Sequence, residues 1–262
     1  MSAAAALLGA QALAADERPF LTLATTTSTQ DSGLLDDLLP KFTAETGIDV
    51  RVVAVGTGRA IEIGRSGDAD VLLVHDRAAE DAFVAEGQSP ARRDVMYNDF
   101  LVVGPGADPA RARGAEIARA FAAIADARAA FVSRGDDSGT HSAEKRYWAM
   151  AARDPLPASG QWYLEAGGGM AATLEMAEER RAYTLTDRAT WLARRSGLAL
   201  VELVTGDPRL HNDYGVMVVS AAKHPGVKAE LGERLAAWLT GAKGRAAIAA
   251  FRIDGEPVFF LK

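Results

Sequence analysis

Two kinds of hydrophobic spacing alternate along the chain. Phe20 to Ala24 is a short apolar run, after which Leu34, Leu35, Leu38, Leu39 and Phe42 recur on one helical face that stops at Gly47. Ile48, Val50 and Val52 alternate in a second strand running to Val55, and a short helix through Ile61 and Ile63 follows. Residues 69–74 are nearly all apolar, the pattern of a strand buried on both faces, and a helix over 79–86 ends at Gly87. Three successive strand-then-helix steps predict a parallel sheet, with ligand-binding loops at the C-terminal ends of its strands.

Farther along, Asn98-Asp99-Phe100 leads into a valine-rich strand ending at Gly104-Pro105. Asn212-Asp213-Tyr214 leads into another, through Ser220, with Pro225 beyond. This repeated Asn-Asp-aromatic triplet predicts an outgoing and a returning crossover between two lobes. Lobe I is then 20–98 with 213–262, and lobe II is 99–212, inserted into it. Within the insertion the pattern predicts helices over 116–125, 142–152 and 189–195, and a helix opened by Gly167-Gly168-Gly169 through Met170, Leu174 and Ala177. Strands are predicted at 130–133, 182–185 and 198–204. Pro155 and Pro157 break regular structure, because proline fixes φ and removes a donor; Trp162 and Tyr163 just beyond read as core packing. The tail, 226–251, reads as two helices separated at Gly241 that pack on lobe I.

Composition narrows the function classes. A chain of 262 residues accommodates two domains, and 48% hydrophobic with 24% charged residues excludes global disorder. A net charge of -6 argues against nucleic acid or an acidic membrane as the main partner, and leaves a small anion open, since local groups set the local field. No cysteine is present, so disulfides and thiolate chemistry are excluded. His75, His141, His211 and His224 lack metal-ligand spacing, and no metal is expected. Neither a Lys-Ser/Thr phosphate loop nor a Gly-x-Gly-x-x-Gly run occurs, so no nucleotide cofactor is expected. Residues 1–19 read as a leader remnant or a disordered terminus: Ala12-Leu13-Ala14 before Ala15-Asp16 resembles a signal-peptidase site, yet no basic residue precedes Arg18.

Two strand-to-helix turns carry the candidate chemistry. The first, Thr25-Thr26-Thr27-Ser28-Thr29-Gln30-Asp31-Ser32-Gly33, precedes a helix expected near Gly33 and offers Thr26, Thr27 and Ser28 with their amides. Helix capping alone also accounts for these hydroxyls. The second, Arg134-Gly135-Asp136-Asp137-Ser138-Gly139-Thr140, adds a guanidinium, the preferred planar donor to a multi-oxygen anion, alongside Ser138, the Gly139 amide and Thr140. Asp136 or Asp137 pairs with Arg134 across the turn or holds it in orientation. Gly56-Thr57-Gly58 allows close backbone approach and contributes Thr57. His75, at the end of a buried strand, suits either a structural hydrogen bond or binding. His141, at a helix start, is expected to be neutral and to orient the loop. Ser28, Ser138, His75, His141 and Asp187 are the residue types of a hydrolase, but no nucleophile elbow marks either serine.

The set of stretches resembles the tungstate-binding members of the periplasmic substrate-binding proteins of ABC importers. It comprises Ala24 to Leu35; Val55-Gly56-Thr57-Gly58; Gly67 to Val71 with His75-Asp76; Met96 to Phe100; Arg134 to His141; and Tyr183 to Arg188. The resemblance implies an α/β, two-lobed binding protein of type II, each lobe having a central parallel sheet with one antiparallel strand, joined by two crossovers. It further implies a monomer in the periplasm that captures tungstate or molybdate in the interlobe cleft and delivers it to a membrane permease, without catalysis. Thr26, Thr27, Ser28, Thr57, Arg134, Ser138, Gly139 and Thr140 would be the binding groups, with Asp137, His141 and His75 in support. Phosphate or sulfate binding, and a phosphomonoesterase, are the alternatives.

Overall fold

The computed structural model describes residues 18–262; the leader reading of 1–17, with its cleavage-like Ala12 to Asp16, lies outside them. The first half runs β1 (Phe20–Thr26), α1 (Thr27–Asp31), α2 (Leu34–Thr46), β2 (Asp49–Val55), α3 (Thr57–Ser66), β3 (Val71–Val74), α4 (Arg77–Ala85) and β4 (Arg92–Gly104). Next come α5 (Ile117–Asp126), β5 (Phe131–Ser133), α6 (Gly139–Met150), β6 (Tyr163–Glu165), α7 (Met170–Arg180), β7 (Thr184–Asp187), α8 (Arg188–Arg194) and β8 (Val201–Val204). The chain closes with β9 (His211–Val218), α9 (Ala229–Thr240), α10 (Ala242–Ala250) and a small hairpin of β10 (Arg252–Ile253) and β11 (Glu256–Pro257).

The main sheet has the order β2-β1-β3-β9-β4-β7, with β8 also on β4. Strands β1, β2 and β3 are parallel, as the repeated strand-helix steps require, and β9 runs against both β3 and β4. Beyond Asp99, β4 exchanges β9 for β7 and β8, to both of which it is antiparallel. Strands β5 and β6 are parallel to each other, and Phe131 bridges to Tyr183 just ahead of β7. Each half thus has one strand running against a parallel set: β9 in the first, the far end of β4 in the second.

Burial follows the periodicity. Leu34, Leu35, Leu38 and Phe42 of α2 are buried with Leu21, Leu23, Leu235, Leu239 and Ile248, so the tail helices do pack on the β1 side. The second half centres on aromatic rings, with Phe121 and Trp148 centroids 4.4 Å apart and Phe131 and Trp148 5.1 Å apart. Tyr163 is buried among them and Trp162 packs alongside, as expected of core residues.

Several boundaries differ from the sequence reading for local reasons. The helix expected near Gly33 is α2, with Gly33 at its N-cap, but the turn before it also contains a short helix of its own, α1, started where Thr26 accepts the Thr29 N–H. Helix α6 begins at Gly139 rather than Ser142, since Ser138 caps it by accepting from His141 N–H at 3.2 Å. Strand β4 starts at Arg92, ahead of the Asn98 triplet.

Candidate functional site

Side chains from four chain segments converge at the C-terminal ends of β1, β3 and β5. Thr26 ends β1; its Oγ1 lies 2.6 Å from Thr29 Oγ1 and 3.1 Å from Ser28 Oγ. His75 follows β3 and reaches both hydroxyls, its Nε2 being 3.1 Å from Thr26 Oγ1 and 3.3 Å from Ser28 Oγ. On its other side Nδ1 is 3.0 Å from Asn212 Oδ1. Thr27 is half-buried and opens α1.

The second turn is built around Arg134, which is buried at the end of β5. Its Nε (3.1 Å) and Nη2 both donate to Asp136 Oδ2, while Asp136 Oδ1 accepts from Ser138 N–H at 3.1 Å. One carboxylate therefore fixes the guanidinium and the first residue of the helix cap together, and leaves Nη1 uncommitted to any other described residue. Gly135 has a φ of +60°, and a β-carbon there would lie 2.9 Å from that of Glu165, so the turn requires glycine. Thr140 Oγ1 is buried and has no hydrogen-bond partner among the described residues.

The turns touch. Gly139 N–H donates to Thr57 Oγ1 at 3.1 Å, and a β-carbon on Gly139 would sit 2.7 Å from the His75 ring. β-Carbons on Gly56 and Gly58 would be 3.8 Å from the carbonyl oxygens of Asp136 and Asp137. Burial lowers His75 to a pKa of about 4, opposed by its hydrogen bond to Asn212, and the positive charge of Arg134 lowers it further. His75 is thus a neutral ring with the first turn's hydroxyls on one edge, Gly139 against it and the guanidinium within its electrostatic reach. An imidazole so depressed is a weak general base near neutral pH, and its orienting partner is an amide rather than a carboxylate, which speaks against hydrolytic chemistry.

Of the expected residues, Thr26, Ser28, Thr57, Gly139 and His75 form one contact set, with Arg134, Ser138 and Thr140 on the facing turn. Asp137 is not among them: its φ of +52° turns the carboxylate outward to Lys145 Nζ, 3.1 Å away, and Asp136 alone holds Arg134. The Asp137 N–H instead donates to His141 Nδ1 at 3.1 Å, so His141 braces the turn from outside. His141 is pushed toward the neutral form chiefly by burial, then by Lys145. Asp31 is exposed. Among the described residues no cluster of His, Asp and Glu could hold a metal ion.

Sequence reasoning missed Glu144, Asn98 and Asn212. Glu144 is buried beneath the second turn and accepts from Trp148 Nε1 and Tyr163 OH, each at 2.9 Å, with Ser133 and the Arg134 backbone also favouring its ionised form. The available signal was a carboxylate at the same helical face as Tyr147 and Trp148. Burial nevertheless raises its pKa from 4.5 to about 7. The folded state therefore holds this proton more tightly than the unfolded chain and loses stability as pH rises through that window. Glu144→Gln removes the loss: its unfolding free energy relative to wild type rises by about 2–3 kcal/mol between about pH 4.5 and 7.5 in urea denaturation. A pH-independent difference contradicts this.

Residues 10–243 match the PBP superfamily domain. The tungstate-binding protein TupA of Peptoclostridium acidaminophilum is 45% identical over 244 residues, covering 91% of this chain and 84% of that protein. The solved tungstate-binding protein TupA from Desulfovibrio alaskensis G20 superposes with a TM-score of 0.81 at 43% identity, over 93% of this chain and 99% of that one. The structure described as the tungstate ABC transporter from Geobacter sulfurreducens gives 0.80 at 48% identity, over 88% and 98%. With its mixed sheet and facing turns, this chain belongs to the PBP superfamily and, within it, to the family of ABC-importer substrate-binding proteins that contains these tungstate-binding relatives.

Proposed function

We propose that this protein captures tungstate, with molybdate as the closest competitor, between two lobes and delivers it to the permease of an ABC importer. The lobes are 20–98 with 213–262, and 99–212; β4 and β9 cross between them. Binding groups are the hydroxyls and amides of Thr26, Thr27 and Ser28, Thr57, Arg134, and Ser138 to Thr140. The observation that carries this reading is the position of His75, which touches the hydroxyls of one turn and Gly139 of the other inside the field of Arg134.

The donor set suits the ligand. Tungstate is a proton-free dianion, so its site needs donors and no free acceptor. Asp31 and Asp137 are exposed and Asp136 is occupied by Arg134 and the Ser138 amide, so none of these three is a buried, unpaired carboxylate that would repel the ion. Hydrogenphosphate would need an acceptor for its proton. Sulfate also lacks a proton, and its shorter bonds to oxygen leave a cage of fixed donors poorly matched. No helix among the described residues is long and apolar enough to cross a membrane. Work outside the cytoplasmic membrane, as a monomer, fits delivery to a permease.

Competition calorimetry tests the reading. Molybdate displaces bound tungstate, while sulfate and phosphate in large excess do not, and chromogenic phosphate esters are not turned over. Displacement by phosphate ahead of molybdate, or ester turnover abolished by Ser28→Ala, overturns it.

A further inference from the structure

The two Asn-Asp-aromatic triplets are not explained by strand crossing alone, because any residues can cross. Asn98 and Asn212 are partners in register across β4 and β9, and both side chains are buried. Asn212 Nδ2 donates to Asn98 Oδ1 at 2.8 Å, so the Asn212 oxygen is the atom that faces His75 Nδ1 at 3.0 Å. Tyr214, from the same second triplet, walls the imidazole with ring centroids 4.8 Å apart. We infer that Asn98, Asn212 and His75 form a positioning relay from the lobe crossover to the ligand turn, which fixes His75 as the Nδ1–H tautomer and thereby selects Ser28 as the hydroxyl that donates to the bound anion.

The selection follows from counting protons. With Nδ1–H donating to Asn212 Oδ1, neutral His75 presents at Nε2 a single lone pair, and two hydroxyls lie within its reach. Thr26 is the nearer. In the relay the Thr29 N–H and the Thr29 hydroxyl, 2.6 Å away, fill the two lone pairs of the Thr26 oxygen, which directs the Thr26 proton to Nε2. Ser28 lies 3.3 Å from Nε2 and 3.1 Å from a Thr26 oxygen whose lone pairs are then both taken, so its proton is left for the anion. The opposite tautomer would make Nε2 a donor, and Thr26 would then have to direct its proton elsewhere. This inference rests on the anion-binding reading of the site and adds to it which donor is used and what sets it.

Nitrogen-15 correlation spectra of His75 in the full chain, with and without tungstate, test the relay, paired with tungstate calorimetry on Ser28→Ala, Thr26→Val and Asn212→Ala. The wild-type ring reads as Nδ1–H in both states. Ser28→Ala loses affinity about tenfold or more, as for a lost hydrogen bond to a charged group. Asn212→Ala moves the ring toward Nε2–H and weakens tungstate, while Asn212→Asp, which still accepts from Nδ1, retains the wild-type tautomer. A wild-type Nε2–H ring overturns the relay even if no variant folds. So does Asn212→Ala losing affinity with an unchanged tautomer, or Thr26→Val costing more than Ser28→Ala. If wild-type protein binds no tungstate, the functional reading fails, and the tautomer still decides whether the relay exists.

Discussion

Arg134→Ala lowers tungstate affinity by about 2–4 kcal/mol, roughly 30- to 1000-fold, in isothermal titration. Two effects add. The variant removes the cation of the second turn, whose charge is felt at both His75 and Asp187. It also strands Asp136, whose carboxylate now meets the dianion without its guanidinium. Adding Asp136→Asn to the alanine variant therefore recovers part of the loss, although it restores no positive charge. Binding unchanged in Arg134→Ala removes this residue from the site, and a double variant weaker than the single one assigns Asp136 a different role.

Gly139→Ala has the second largest effect, about 1–3 kcal/mol of lost affinity, the usual cost of forcing a methyl group into filled space. The β-carbon meets His75 ring atoms at 2.7 Å and Thr57 Oγ1 at 3.1 Å, and the ring cannot retreat because Asn212 and Tyr214 hold its other sides. The clash exists only while the two turns are together. Thermal stability of the ligand-free protein therefore changes little, whereas the compaction that tungstate produces in small-angle scattering shrinks or disappears. Wild-type affinity with full compaction contradicts the face-to-face arrangement of the turns.

Much of this was legible from residue order. Alternation of short apolar runs with helical faces located the parallel β1, β2 and β3, and the doubled Asn-Asp-aromatic triplet, read as two crossovers, falls where β4 and β9 pair in register. What escaped was either too short to show a period or set by non-local contact. Helix α1 has five residues, with no apolar face to reveal it, and β6 has three. Which of two adjacent aspartates holds Arg134 depends on one backbone angle, that of Asp137. The Asn98–Asn212–His75 chain joins residues 114 and 137 positions apart, and only sheet register brings them together. Glu144 was not singled out, because one of the two aromatic donors that close over it comes from β6, 19 positions away.

The proposed function requires that one anion be held jointly by the Thr26–Ser28 turn and the Arg134–Thr140 turn. Anomalous diffraction at a tungsten absorption edge, from crystals grown with tungstate, locates that anion. One tungsten site per chain is expected, its oxygens within hydrogen-bond distance of Ser28 on one side and of Arg134 and Thr140 on the other. Tungsten bound to a single turn, or elsewhere on the surface, contradicts it.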